Sequence, residues 1–261
     1  MKKYIFIIAS FFILTAMNTS STKTLTPPFQ EGEWFKFRIH YGMMTAGYAT
    51  LSVKKELYKQ KKVYHVIGKG TTNGMAKVFF KVDDNYESFF DRKTIKPYRF
   101  IRKINEGGYT KDTEILFNHI ANFATVKDYK NNKTSVTAIS DNVQDMISAF
   151  YYLRSKNISN MNIGETITMD MFFDNENYGF KMKFLGRETI KTKFGKIKTL
   201  KFRPYVQSGR VFKAKESLTV WVSDDANKIP LRIKADLAVG SLKADLNTFK
   251  GLKHPFKIVT K

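Results

Sequence analysis

The sequence predicts a mainly β protein. Two antiparallel β modules form a curved, partly closed barrel-like sheet, with one amphipathic helix at about 141–155 packed between them. Three observations predict this. Apolar and polar residues alternate with period 2 in short runs from residue 33 onward, separated by Gly, Asn and Asp turns. A single segment breaks that rhythm with a helical period. A pair of turn markers, finally, recurs at nearly the same spacing on either side of that helix.

Taken in order, the strand runs are 33–39, 50–53, 62–67, 86–90, 98–104, 114–117 and 122–129, then 167–173, 179–185, 188–192, 197–202, 217–222 and 231–237. Many short strands at such intervals indicate a sandwich or barrel. Between the two groups, Val143, Met146, Ile147, Phe150 and Leu153 fall on one helical face, and Ser140 or Asp141 is placed to cap its first amides. About four turns of helix are expected. The polar face, Asn142, Gln144, Asp145 and Ser148, lacks the lysines of an interfacial membrane helix, so this helix is expected to pack on a sheet.

The repeat gives the two modules a common plan. Gly32-Glu33-x-Phe35-x-Phe37 is echoed by Gly164-Glu165-x-Ile167-x-Met169. Asp91 with Ile95-Lys96-Pro97 is echoed by Asp224-Asp225 with Ile229-Pro230. Aspartate accepts from amides two residues on, and proline cannot donate to a ladder, so each second marker is a turn that starts a strand at a rim. Asp91, Asp224 and Asp225 are thereby explained without a metal, and Asp83-Asp84 lacks the loop that Ca²⁺ requires. The expected organisation is a leader at 1–21, an N-terminal β module at 22–140, a connecting helix at 141–157 and a C-terminal β module at 158–261.

Composition narrows the function. The 261 residues carry 45 Lys and Arg against 23 Asp and Glu, a net charge of +22, with 43% hydrophobic residues, so wholesale disorder is excluded. Zero Cys excludes a disulfide scaffold, a cysteine nucleophile and acylation on cysteine. Met1-Lys2-Lys3, the apolar run from Tyr4 to Leu14 and the small polar residues that follow read as a secretory signal. The run is too short for the roughly 20 residues of a membrane-spanning helix. Cleavage near Ser21 removes two of the basic residues and takes +22 to +20. The expected location is the periplasm or the extracellular space, which puts nucleic acid out of reach and leaves the charge either as a simply solvated lysine surface or as an attraction for anionic lipid, lipopolysaccharide or acidic glycan. Envelope proteins and peripheral membrane contact fit as well.

Catalytic patterns are scarce. His40, His65, His119 and His254 are scattered with no zinc spacing, and no nucleophile elbow, phosphate loop or dinucleotide fingerprint occurs. No cofactor and no metal are expected. A carboxylate pair assembled from distant positions is the one route left open to a hydrolase.

The second module is amphipathic by construction. Lys181 and Lys183 alternate with Phe180, Met182 and Phe184, Lys191 and Lys193 with Ile190 and Thr192, and Lys201 and Arg203 with Leu200 and Phe202. Alternate side chains of a strand face opposite sides, so one face is cationic and the other apolar. The apolar face is either simply core or the lining of a cleft for an amphiphile with an anionic head. Aromatics number 38, enough for some to line a cavity or patch. Tyr41, Met43, Met44 and Tyr48 near the first hairpin, with Tyr151, Tyr152 and Arg154 on the helix, are the expected ligand-binding residues.

Several of these segments together resemble a known family. Gly32 to Phe37, Tyr41-Gly42 with Ala46 to Leu51, Asp145 to Arg154, and Trp221 to Asp225 through Ile229-Pro230 look like the exported bacterial family of domain of unknown function 3108, over about residues 29–255. The resemblance implies an envelope location, strands curled into barrel-like sheets, a Bacteroidetes-type member and no assigned catalytic residues. The expected function is therefore a non-enzymatic envelope protein that binds a lipid-like or anionic component in a curved cleft. An assembly protein acting through protein contacts is the alternative.

Overall fold

The computed structural model describes residues 26–205 and 218–259. The expected leader, the first residues of the N-terminal module and Ser217 lie outside these. Alternating side chains build fourteen strands: β1 Trp34–Tyr41, β2 Met44–Tyr58, β3 Lys61–Thr72, β4 Asp83–Asp91, β5 Pro97–Glu106, β6 Tyr109–Asn118, β7 Phe123–Asp128 and β8 Lys133–Ala138. After the helical connection come β9 Thr166–Phe173, β10 Glu176–Thr192, β11 Gly195–Tyr205, β12 Leu218–Ser223, β13 Pro230–Asp236 and β14 Ser241–Lys250. A short helix, α1, spans Gly74–Phe79 between β3 and β4, and α2 spans Met146–Arg154.

All fourteen strands form one antiparallel sheet in the order β8-β7-β6-β5-β4-β3-β2-β1-β14-β13-β12-β11-β10-β9. Each half is a meander, and the last strand returns to pair with the first along its whole length, Tyr41 opposite Leu242 and Trp34 opposite Lys250. The sheet does not close, because β8 and β9 remain edges. Side chains bridge the seam. Asn175 Oδ1 accepts from Thr137 Oγ1 at 2.7 Å, Asn177 Nδ2 donates to Ala138 O at 2.7 Å, and Arg102 pairs with Asp174 at 2.6 Å. Gln144 adds a one-residue parallel bridge to Met171 of β9.

The repeat is a geometric fact. Gly32 and Gly164 both take left-handed φ values, +83° and +97°, which glycine adopts without a steric penalty. Gly32 N donates to Val53 O and Val53 N to Glu33 O; likewise Gly164 N donates to Phe184 O and Phe184 N to Glu165 O, all at 2.9–3.0 Å. Asp91 Oδ1 accepts from the amides of Lys93 and Thr94, and Asp225 Oδ1 from those of Asn227 and Lys228. Ile95 and Ile229, just after these turns, are fully buried. Asp224 instead faces Arg187 at 3.4 Å.

Five elements differ from the sequence reading. Runs 179–185 and 188–192 are one strand, β10, with a bulge between Phe184 and Gly186. Strands β8 and β14 and the helix α1 are additional. Helix α2 begins at Met146, not near Asp141: Asp145 is its N-cap, accepting from Ile147 N and Ser148 N, while Ser148 Oγ reciprocates from the Asp145 amide. Asn142 takes φ +61° and Gln144 is committed to β9, so residues 141–145 are spent reaching the capping site.

Helix α2 fills one end of the curled sheet. Ile147 and Tyr151 join Phe29, Tyr64, Val66 and Phe90 in the largest buried cluster, with the Phe29 ring 4.6 Å edge-on from Tyr151. Arg154, in its last turn, is fully buried. Its guanidinium grips both oxygens of buried Glu33, at 2.6 and 2.8 Å, and donates twice to Asn227 O. The Asn227 side chain in turn holds the backbone of His254 and Pro255. Rings of Phe29, Phe35, Phe150 and Tyr151 surround the guanidinium at 5.4–5.5 Å.

Two outcomes follow from this packing. Arg154→Ala leaves a buried carboxylate unpaired and is expected to destabilise by about 3–5 kcal/mol, whereas Glu33→Leu with Arg154→Met together recover much of that loss. Chemical denaturation of the three proteins measures both. The second concerns Asp145, which burial pushes up to about 6, against hydrogen bonds from Ser88, Ser148 and Ile147 that favour its charge. A folded-state value above the unfolded one gives stability that is full below about pH 4 and lost as pH rises through 6. Asp145→Asn keeps the cap and removes that dependence, worth up to about 3 kcal/mol, so unfolding curves at pH 4 and 7 converge for the variant and diverge for the wild type.

Candidate functional site

Strand alternation gives the concave face its chemistry. Ile167, Met169, Met171 and Phe173 of β9 and Tyr178, Phe180 and Met182 of β10 turn inward, and Lys181 and Lys183 turn out, as the alternation requires. Beyond the bulge in β10 the facing changes: Ile190 packs with Ile197, Ile229 and Leu231 in a separate cluster. From the other half come Ala49 and Leu51 of β2 and Gly68 and Gly70 of β3. One face of α2, Met146, Ala149, Phe150 and Leu153, supplies the floor.

These surfaces do not meet. They flank an open cavity of about 670 Å³, within the roughly 300–1,000 Å³ of small-molecule sites. Gly68 contributes to the space, since a Cβ there would stand 3.1 Å from Leu51 Cδ2 and 3.7 Å from Ile147 Cδ1. Its wall is aliphatic, aromatic and thioether almost throughout. Among the described residues that line it there is no carboxylate and no histidine.

Three basic residues contribute to the wall, Lys69, Arg154 and Lys228. Alternation turns the Lys69 side chain to the convex face, so it offers mainly backbone between two glycines. Arg154 is neutralised by Glu33. Lys228 is different: its ammonium donates to Lys156 O at 2.7 Å and Arg154 O at 3.4 Å, and no carboxylate among the described residues pairs with it. Burial, with the neighbouring Arg154 charge, lowers its pKa. Two of its three protons are used, which leaves one donor at the C-terminal end of α2, where the helix carbonyls favour a cation.

The residues expected from sequence to bind a ligand separate in space. Arg154 reaches the cavity wall, but its charge is committed to Glu33. Tyr152 lines a smaller hollow of about 300 Å³ with Asp141, Asp170 and Lys181. Tyr151 is fully buried in the core, and burial pushes its hydroxyl far above the usual range. Tyr48 lies against Lys36, whose ammonium stands 4.3 Å from its ring centre. Tyr41, Met43 and Met44 sit at the exposed β1–β2 hairpin, where Tyr41 Oη donates to Val239 O at 3.0 Å. The cavity wall instead comes largely from β9 and β10, whose Met and Phe alternation was visible, and from Lys228, masked in the sequence by its place in a turn.

Titratable clusters lie elsewhere. On the convex face His65 bridges Glu56, at 2.9 Å, and Glu87, at 2.8 Å, through opposite ring nitrogens, and stacks on Phe89. Opposite nitrogens cannot share one ion, and among the described residues no group of three such side chains is placed to hold a metal. Burial opposes the charge on Glu87, yet hydrogen bonds from Asn85 and His65 and the nearby cations lower its pKa. Glu106 is raised by burial and by the hydrogen bond and charge of Asp84. Neither cluster faces the cavity.

Comparison with solved structures supports the architecture. A β-barrel-like protein of domain of unknown function DUF1849 from Brucella abortus superposes with a TM-score of 0.57 at 10% identity, covering 86% of this chain and 99% of that one. A protein from Bacteroides fragilis described as exported, with a YmcC-like fold, matches at 12% identity over 87% of this chain and 99% of its own, with a TM-score of 0.32. A protein from Parabacteroides distasonis described as a lipoprotein gives the same identity and coverage and a TM-score of 0.33. No curated protein matches the chain. No helix among the described residues is long and apolar enough to cross a membrane. The family profile described as protein of unknown function (DUF3108) matches residues 36–247, and the chain belongs to that family.

Proposed function

We propose that this protein acts outside the cytoplasm as a non-enzymatic holder of a lipid-like amphiphile with an anionic group. The observation that carries the reading is the apolar cavity of about 670 Å³, beside which Lys228 stands without a carboxylate partner among the described residues, while Lys69 turns outward and Arg154 is paired with Glu33. Native interiors are packed to crystal-like density, so a hollow of this size with so apolar a wall is a costly feature for a fold that uses it for nothing. An acyl chain satisfies the wall by area burial, worth roughly 0.8 kcal/mol per methylene. A carboxylate or phosphate satisfies the remaining Lys228 donor, and a charge-assisted hydrogen bond in a poorly solvated place is among the stronger ones. The front of the sequence supports export.

Palmitate and hexadecanol are suitable probes. Each, at about 100 times its dissociation constant, is expected to stabilise the protein by roughly 2.7 kcal/mol and raise Tm by about 5–10 °C. Lys228→Met is expected to weaken palmitate about tenfold and leave hexadecanol unchanged, while Ala244→Phe, which projects into the cavity, weakens both. Thermal shift with native mass spectrometry reads these. Absence of saturable binding of palmitate, hexadecanol and phospholipid overturns the reading.

A further inference from the structure

The antiparallel meander places alternate connections at one end of the sheet, and that end carries an unusual set of side chains. The β1–β2 hairpin, the β3–β4 connection with α1, the β5–β6 hairpin and the β13–β14 hairpin all lie there. They touch one another: Asn73 N donates to Ala46 O, Gly107 N to Lys81 O, and Tyr41 Oη to Val239 O. Helix α2, Phe29 and the C-terminal tail occupy the opposite end. The cavity runs toward this end, reaching Gly70 near the end of β3, Phe173 at the end of β9 and Pro204 near the end of β11.

The tips of this rim are apolar and protrude. Met43 is 95% exposed, Val78 84%, Phe79 80% and Val239 77%. Lone exposed apolar residues are ordinary, but here they cap three neighbouring loops at the end toward which the apolar cavity runs. Val78 and Phe79 are flanked by Lys77 and Lys81, both exposed and without a carboxylate partner among the described residues. Several of the rim's acids are already engaged, Asp174 with Arg102 and Lys111, Asp112 with Lys103, and Asp236 with Lys234.

We propose that this rim docks on an anionic lipid surface, with Met43, Val78, Phe79 and Val239 entering the headgroup region and Lys77 and Lys81 meeting lipid phosphates. The arrangement favours a bilayer over a protein partner on two counts. Small apolar tips on separate loops enter a deformable interface, whereas a protein surface calls for a continuous complementary patch. The net charge, +22 on the sequence and +20 after the expected cleavage, and the two lysines without a carboxylate partner among the described residues complement an acidic membrane, at about 1 kcal/mol per basic residue near the surface. This deepens the amphiphile-holding reading and rests on it for the role of the cavity, but the docking itself is measured separately.

The test is co-sedimentation of the mature chain with vesicles of phosphatidylglycerol and phosphatidylethanolamine, beside vesicles of phosphatidylcholine alone. Wild type is expected to bind the first, weaken as salt is raised, and bind the second at least tenfold less. The double variant Val78→Ser with Phe79→Ser is expected to lose tenfold or more in vesicle affinity with its Tm and palmitate binding unchanged, since both side chains are exposed. Lys77→Glu with Lys81→Glu is expected to weaken binding to the anionic vesicles about tenfold and to reduce its salt dependence. Failure of wild type to sediment with anionic vesicles overturns the proposal, as does unaltered binding by the serine variant. A change of oligomeric state in that variant, measured by light scattering, identifies a second copy as the occupant and also overturns it. Vesicle binding without palmitate binding retains the docking and removes the cavity reading. The converse removes the docking alone.

Discussion

The ion pair between Glu33 and Arg154 is the constraint on which the arrangement turns. Either charge alone in that place would carry a desolvation penalty of several kcal/mol, so the two must be buried together. Glu33 precedes the first strand, Arg154 ends the helix, and Asn227, which receives two of the guanidinium's protons, lies in the turn before β13 and holds the tail. One side chain thus fixes the start, the middle and the end of the chain relative to each other. The depth to which α2 enters the sheet follows, and with it the volume left above the helix.

That helix breaks the symmetry of the repeat. Gly32-Glu33 and Gly164-Glu165 make the same backbone hydrogen bonds, yet Glu33 is buried against Arg154 while Glu165 is exposed and its carboxylate accepts from Asn162. Two modules of one plan therefore acquire different interiors. The first is filled by Phe29, Tyr151 and Phe90. The second keeps a wall of methionine and phenylalanine facing open space.

Much of the fold was legible because strand alternation and turn chemistry are local. The runs containing Phe35 and Phe37, Tyr86 and Phe90, and Leu200 and Phe202 each declared a buried face, and the Asp91 and Asp225 turns declared their geometry. What escaped depended on distant partners. Strand β8, Lys133–Ala138, has little to bury and exists because β7 offers a ladder. The helix start moved because Ser88, on β4, donates to Asp145 at 2.6 Å and makes that residue the cap. The site was less legible than the fold. Aromatic richness drew attention to Tyr151, which is solid core, and to Tyr41 and Met43, which are exposed. Lys228 gains its character only from carbonyls of Arg154 and Lys156, more than seventy positions away.

The pairing of β14 with β1 sets an order on folding. Each meander can zip from local hairpins, but the ladder that joins them, Phe35 with Phe249 and Tyr41 with Leu242, spans about two hundred positions of sequence. Closing so long a loop is entropically slow, and contacts of this range govern folding rates. The sheet therefore stays severed at its middle until the final strand is available. A chain threaded through a narrow translocon from its amino end would emerge as two unjoined halves, and only the arrival of its carboxyl end would lock them.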